Sequence, residues 1–213
     1  MAAMLLAMLL PACCLGCGVV LRSERTPEVC IACASELAPL VQRSQAGIVA
    51  SWPYAGAFAQ ALVRLKYQQD GALAGPLGRA LAAAPELSRA HWDLVCAVPM
   101  HWRRRWQRGF DHAALLLAHA VRSRADAPRR VALLQRTRHA PPQAELSASA
   151  RQDNLVGAFA VRPRMHARVA GQRVLVVDDV TTTGATLHAA AAALDRAGAA
   201  EVGRLALLRT IAG

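Results

Sequence analysis

Residues 174–186 read VLVVDDVTTTGAT, and the fold turns on how they are read. Val174 to Val177 form a short aliphatic run of the kind that makes a strand buried on both faces. Two carboxylates, Asp178 and Asp179, follow at once. After Val180 comes a hydroxyl-rich loop, Thr181, Thr182, Thr183, Gly184, Ala185 and Thr186, leading into a helix from Ala185 to Ala197 that Gly198 stops. The N–H groups at a helix start lack partners and carry roughly half a positive charge, so they hold phosphate well. Threonine hydroxyls add donors, and Gly184 lets the backbone come close or take a positive φ. Two carboxylates beside such a cradle would repel a bare phosphate. They fit a ligand that also brings hydroxyls for them to accept from, or a magnesium ion. A sugar phosphate meets both demands, with the phosphate in the cradle and the ribose 2′ and 3′ hydroxyls on Asp178 and Asp179. A solvated acidic turn or a capping threonine would account for either feature alone. The two in succession after an aliphatic strand favour the ligand site.

Working outward, short apolar runs alternate with helical patterns. Strands are predicted over Ile48–Tyr54, Leu94–Val98 and Val202–Leu208, with a weaker one over Arg130–Leu134. Helices are predicted over Ala57–Tyr67, Gly75–Ala84 and Asp111–Arg122, the first broken by Gln68-Gln-Asp-Gly71. This alternation predicts an α/β fold with a parallel sheet flanked by helices. Ligands of such sheets sit at the carboxyl ends of the strands, which selects the loops after Val98 and after Val177.

Five of the six cysteines lie within the first 33 residues. Cys14-Leu-Gly-Cys17 and Cys30-Ile-Ala-Cys33 are two C-x-x-C knuckles, and together they offer four thiolates to one tetrahedral zinc ion. Such a site is structural, because no coordination position is left for a substrate. Cys13 could take the place of Cys14 as a ligand, at C-x-x-x-C spacing to Cys17. Cys96, inside Leu94-Val-Cys-Ala-Val98, is expected to be a buried core thiol.

The chain starts MAAMLLAMLLPACC, which imitates a secretion signal. However, no Lys or Arg precedes Arg22, and the run Met1–Leu10 is too short to span a bilayer. It is read as an amphipathic or buried first helix, with no membrane insertion and a cytoplasmic location. The formal net charge is +11, and Lys66 is the only lysine. This arginine excess is what a GC-rich genome produces, and equally what a phosphate-rich partner selects.

The stretch 174–186 resembles the phosphoribosyl-pyrophosphate (PRPP) motif of type I phosphoribosyltransferases: a hydrophobic strand, an acidic pair, then T-T-G-x-T. A wider resemblance covers essentially the whole chain. The two knuckles, Leu65-Lys66-Tyr67, Val98-Pro99-Met100-His101, Arg108-Gly109-Phe110, Gln143, Arg151 and Asn154, and Gly157 with Phe159 follow the order seen in ComF-type competence proteins. That resemblance implies a zinc ribbon over residues 1–45 and a phosphoribosyltransferase-like domain over 46–213. It implies PRPP with magnesium as ligand, through Asp178, Asp179 and the loop 181–186. It also implies a role in DNA uptake, on single-stranded DNA and beside a helicase. One departure is visible: Arg108-Gly-Phe-Asp111-His112 stands where Arg-Gly-Phe-Asn-Gln is expected, adding a negative charge near the pyrophosphate site the family implies. Thr181 replaces a bulkier residue.

Residues 99–110 read PMHWRRRWQRGF. In the family this loop binds pyrophosphate, which selects Met100, His101, Arg103, Arg104 and Arg108. The same stretch suits single-stranded nucleic acid, with Arg103, Arg104 and Arg105 along the backbone and Trp102 and Trp106 stacking on bases. An exposed basic turn whose tryptophans cover the core would read alike. Arg136, Arg138, Gln143 and Arg151 occupy the place of the family's mobile lid over PRPP, or else a surface linker set in direction by Pro141-Pro142. Two functions remain open: a transferase releasing pyrophosphate from PRPP to an unidentified acceptor, and a binding protein of DNA uptake.

Overall fold

In a computed structural model, the structure describes residues 13–21, 29–35, 47–87, 92–100, 106, 109–137 and 157–210. The expected first helix, the residues His101 to Arg105 and Arg108, and the 138–156 stretch with Gln143, Arg151 and Asn154 lie outside these.

Five strands form one all-parallel sheet. These are β1 (Val49–Pro53), β2 (Leu94–Ala97), β3 (Arg129–Arg130), β6 (Arg173–Thr181) and β7 (Glu201–Arg209), in the order β1-β7-β6-β2-β3. Side chains of β6 alternate between two apolar clusters, which is why its sequence reads as a continuous aliphatic run. Leu175 and Val177 pack with α2 (Gly56–Tyr67), α3 (Ala74–Ala82) and α4 (His112–Arg122), through Phe58, Leu62, Leu77, Leu81, Leu116 and Leu117. Val174 and Val176 pack on the other face with Leu187, Ala190 and Leu194 of α6 (Ala185–Arg196), which follows the short α5 (His166–Val169), and Cys96 is buried there as expected. Burial of these side chains is the main stabilising term, of roughly 1.5–3 kcal/mol per large aliphatic.

At the amino-terminal edge Asp93 joins two strands. It accepts from the backbone N–H of Arg173 at 2.8 Å and from the Arg173 guanidinium at 2.8 Å. The guanidinium beside it holds the Asp93 carboxyl down at about 2.

The structure corrects two sequence boundaries. The central strand does not stop at Val177. It runs on through Thr181, because β7 continues alongside and pairs Asp178 with Ala206 and Thr181 with Arg209. The expected strand over Arg130–Leu134 is split. Arg129–Arg130 closes the sheet beside β2, and the Val131 N–H still bonds Val95. The Leu133 N–H then turns back to the Val131 carbonyl, and β4 (Leu134–Arg136) leaves the sheet to pair antiparallel with β5 (Phe159–Val161). An edge strand with no second neighbour has little to hold it in the sheet, and here the chain peels away.

The short helix α1 (Ile31–Ser35) carries Cys33, and Cys14, Leu15 and Val29 are buried in the same cluster as Phe58 and Ala57 of α2. Among the described residues no helix is long and apolar enough to cross a membrane.

Candidate functional site

The acidic pair stands near the carboxyl end of β6, inside the strand rather than after it. The Asp179 N–H donates to Asp178 Oδ1 at 2.9 Å, which orients the Asp178 carboxylate against the backbone. Lys66, in the last turn of α2, donates from Nζ to Asp179 Oδ1 at 2.9 Å. The two side chains are only 17 % and 12 % exposed, so this pair is sheltered from solvent screening. Burial pushes the Asp178 carboxyl up to about 7. The charges of Asp179 and Asp111 add to the rise, while Lys66 and the Asp179 N–H oppose it. Asp178 thus changes charge near neutrality, a property that marks functional carboxylates more often than structural ones.

The hydroxyl loop begins one residue later than its sequence suggested. Thr181 is buried as the last residue of β6, while Thr182 and Thr183 are exposed. Gly184 sits at φ 82°, the left-handed region, immediately before α6. A Cβ there would also meet the Ile48 δ-methyl, the end of a side chain that would have to shift, so the positive φ is what requires glycine. The Ala185 N–H points at Thr183 Oγ1 over a long 3.4 Å, and Ala185 and Thr186 are half-buried at the helix start. The helix α6 therefore begins beside the acidic pair with its first N–H groups free of intrahelical partners by construction.

The second loop of interest leaves β2. Val98 bonds Val177 of β6 at 2.8 Å, so Pro99 and Met100 emerge next to Asp178. Asp111 closes this loop at both ends: one carboxylate oxygen accepts from the Met100 N–H at 2.8 Å, the other from Ala114 N–H at 3.1 Å as the cap of α4. An aspartate where an asparagine is expected thus brings two carboxylate acceptors to two main-chain donors. Trp106 is 86 % exposed, with no share in the core. His101, Trp102, Arg103, Arg104, Arg105 and Arg108 fall outside the described residues. Beside this loop lies a cavity of about 360 Å³, walled by Phe110, Leu115 and Val131, with Arg130 and Arg162 among its lining residues.

At the amino-terminal end Cys14, Cys17, Cys30 and Cys33 place their sulfurs within 4.8 Å of one another, a group that can hold a metal ion. Cys13 is exposed and stands outside the group, whose sulfurs include that of Cys14. The Cys30 N–H donates to Cys14 Sγ at 3.2 Å and the Cys33 N–H to Cys30 Sγ at 3.4 Å. Burial raises the Cys14 thiol, but the N–H groups of Cys30, Cys17 and Gly16 outweigh it and bring it to about 6. Cys33 is pushed up to about 12 by burial and by its three neighbouring sulfurs. Gly16 leaves room for them: a Cβ would lie 2.9 Å from Cys33 Sγ and 2.6 Å from the Ala57 methyl.

Two functional contributions escaped the sequence reading. Lys66 was noticed as part of a triplet, with no role at the acidic pair; being the sole lysine was the available signal. Asp111 is expected as the first residue of its helix and as an added negative charge; it stands just before the helix and caps it, the place where an aspartate is a capping signal.

A family model described as a phosphoribosyl transferase domain matches residues 109–213. DNA utilization protein YhgH of an Escherichia coli strain is 34 % identical over 166 residues, covering 74 % of this chain and 70 % of that protein. The chain belongs to the ComF family. Its other relatives include YhgH of Salmonella typhi, 35 % identical over 156 residues (70 % of this chain, 65 % of that one), and Competence protein F of Haemophilus influenzae, 32 % identical over 144 residues (65 % and 62 %). This ComF chain spans about two thirds of the length of those relatives. Among solved structures it is similar to a glutamine PRPP amidotransferase from B. subtilis, 25 % identical, over 61 % of this chain and 24 % of that one, at a TM-score of 0.37. That partial overlap carries no weight beside the parallel sheet and the family model.

Proposed function

We propose that this ComF-family protein binds PRPP or a related sugar phosphate at the carboxyl end of β6 and serves the handling of single-stranded DNA during uptake. The observation that carries the reading is the acidic pair Asp178–Asp179, set beside the Gly184 turn that opens α6. Carboxylates accept the ribose hydroxyls, and the loop 182–186 with the first N–H groups of α6 takes the 5′-phosphate. Asp178 accepts more strongly, and on both oxygens, when ionised, so affinity should rise as pH passes about 7. The loop after β2, with Met100, His101, Arg103, Arg104 and Arg108, is the place for the diphosphate, with magnesium accompanying it as counter-ion. The exposed Trp106, with Trp102 and Arg103 to Arg105, offers stacking and charge to a single strand. The four-cysteine group takes structural zinc and makes residues 1–45 a ribbon joined to the domain of residues 46–213. A cytoplasmic location and a helicase partner go with work on an incoming single strand.

A second reading, pyrophosphate-releasing transfer to an acceptor, draws support from the cavity of about 360 Å³ next to the same loop. Its apolar walls and arginines suit a flat, partly anionic acceptor. Positioning and charge stabilisation would then supply the rate. The test is calorimetric titration with magnesium-PRPP beside titration with a short single-stranded oligonucleotide. Binding of both without pyrophosphate release supports the first reading. Pyrophosphate release with no affinity for the oligonucleotide replaces it with the second.

A further inference from the structure

Apart from its histidines, every basic side chain of this protein except one is arginine, and the exception, Lys66, bonds Asp179 of the acidic pair. The choice has physical content. A guanidinium offers a planar fork and tends to occupy both oxygens of a carboxylate, whereas an ammonium is a compact point charge that can engage a single oxygen. Lys66 Nζ bonds Asp179 Oδ1 at 2.9 Å, which leaves Asp179 Oδ2 to accept from something else. The pair is largely buried, and removing two charges from water is costly unless the geometry repays it.

Resting on the sugar-phosphate reading, we infer that Lys66 is a positioning residue that makes the acidic pair a receptor for a vicinal diol and keeps it from acting as a site for a bare divalent cation. The charges that meet here come from three elements: Asp178 and Asp179 on β6, Lys66 on α2 and Asp111 at the start of α4. With Lys66 in place, one carboxylate charge is cancelled and its geometry fixed. Without it, two adjacent carboxylates, with the charge of Asp111 adding to their repulsion, must either hold a proton to higher pH or recruit a cation. A neutral diol donates hydrogen bonds and brings no charge, so it gains from an oriented, already neutralised Asp179. A bare divalent cation gains from the opposite arrangement.

The test compares the full chain with Lys66→Met, each with its cysteine site metal-loaded. The probes are ribose 5-phosphate, titrated across neutral pH, and Mn²⁺ alone, followed by electron spin resonance of the free ion. Wild type should take up no Mn²⁺ at this site, while Lys66→Met should take up one. The variant's affinity for ribose 5-phosphate should fall about tenfold at neutral pH, with the midpoint of its pH dependence moved up by about one unit. Equal Mn²⁺ uptake by both proteins, or superimposable pH profiles, overturns the inference. The Mn²⁺ arm needs no sugar, so a wild type that ignores ribose 5-phosphate defeats the sugar reading while Lys66 is still judged. Should Lys66→Met fail to fold, ¹⁵N-lysine labelling of wild type reports on the single side-chain ammonium. Its signal should shift with ribose 5-phosphate and stay sharp with Mn²⁺ alone, and broadening by Mn²⁺ overturns the inference.

Discussion

Gly184 shows how much one position can be asked to do. Its φ of 82° lies where a side chain is strained, and a Cβ would meet the Ile48 δ-methyl from the strand side. Gly184→Ala should therefore destabilise the protein by about 1–3 kcal/mol from backbone strain alone, with the collision adding to it. Urea denaturation checks this. If the cost came only from the collision, shortening Ile48 to valine in the same protein would restore stability, and we expect incomplete rescue. The glycine's need for a positive φ was legible from its place between threonines and a helix. The collision with Ile48 was not, because the two residues are 136 positions apart (184 − 48) and meet only in the folded chain. Lys66 escaped for the same reason. Its partner Asp179 is 113 residues away, and no local pattern encodes that pairing.

Among the elements, the strands buried on both faces were read correctly because both faces demand apolar residues, so their sequences are continuous aliphatic runs. The ends were misjudged where a neighbour decides. Asp178 to Thr181 look like the residues after a strand, yet β7 runs alongside and supplies the ladder that keeps them in it. β3 and β4 were merged because nothing local marks where an edge strand peels off. The clamp between β2 and β6 yields a pH prediction. Arg173 lowers the Asp93 carboxyl from 3.8 to about 2, so its stabilising effect is whole above pH 3.8 and is lost as pH falls through about 2. Asp93→Asn should flatten the acid limb of the stability–pH curve within that window and leave the slope near neutrality unchanged. Acid titration of both proteins, followed by circular dichroism, reads this. The two knuckles make a separate prediction. Cys30 lies within the four-sulfur group and its N–H also serves Cys14. Cys30→Ser should lose one equivalent of zinc by elemental analysis and loosen the packing of Leu15 and Val29 on α2. Full metal content in the variant would remove Cys30 from the ligand set.

At the scale of the whole molecule, a charge of +11 favours any polyanion, and a salt series separates general attraction from a built site. Trp106→Ala should weaken binding of a fluorescent single strand at every salt concentration, by roughly 1–3 kcal/mol if the ring stacks on a base. Arg104→Ala should also flatten the salt dependence if its guanidinium pairs with a phosphate. Parallel lines of equal height for Trp106→Ala and wild type would remove Trp106 from the interface. The described ends of the two loops lie at the carboxyl edge of the parallel sheet, and the four cysteines form a group that can hold a metal ion. The central claim is that Asp178 and Asp179 accept ribose hydroxyls. It is tested most directly by calorimetric titration with ribose 5-phosphate and with 2-deoxyribose 5-phosphate, on wild type and on Asp178→Asn with Asp179→Asn. The account predicts that wild type prefers the ribose form, and that the double variant folds normally, loses about 2 kcal/mol of affinity and no longer tells the two sugars apart. Equal affinity of wild type for both sugars, or undiminished binding by the double variant, would contradict it.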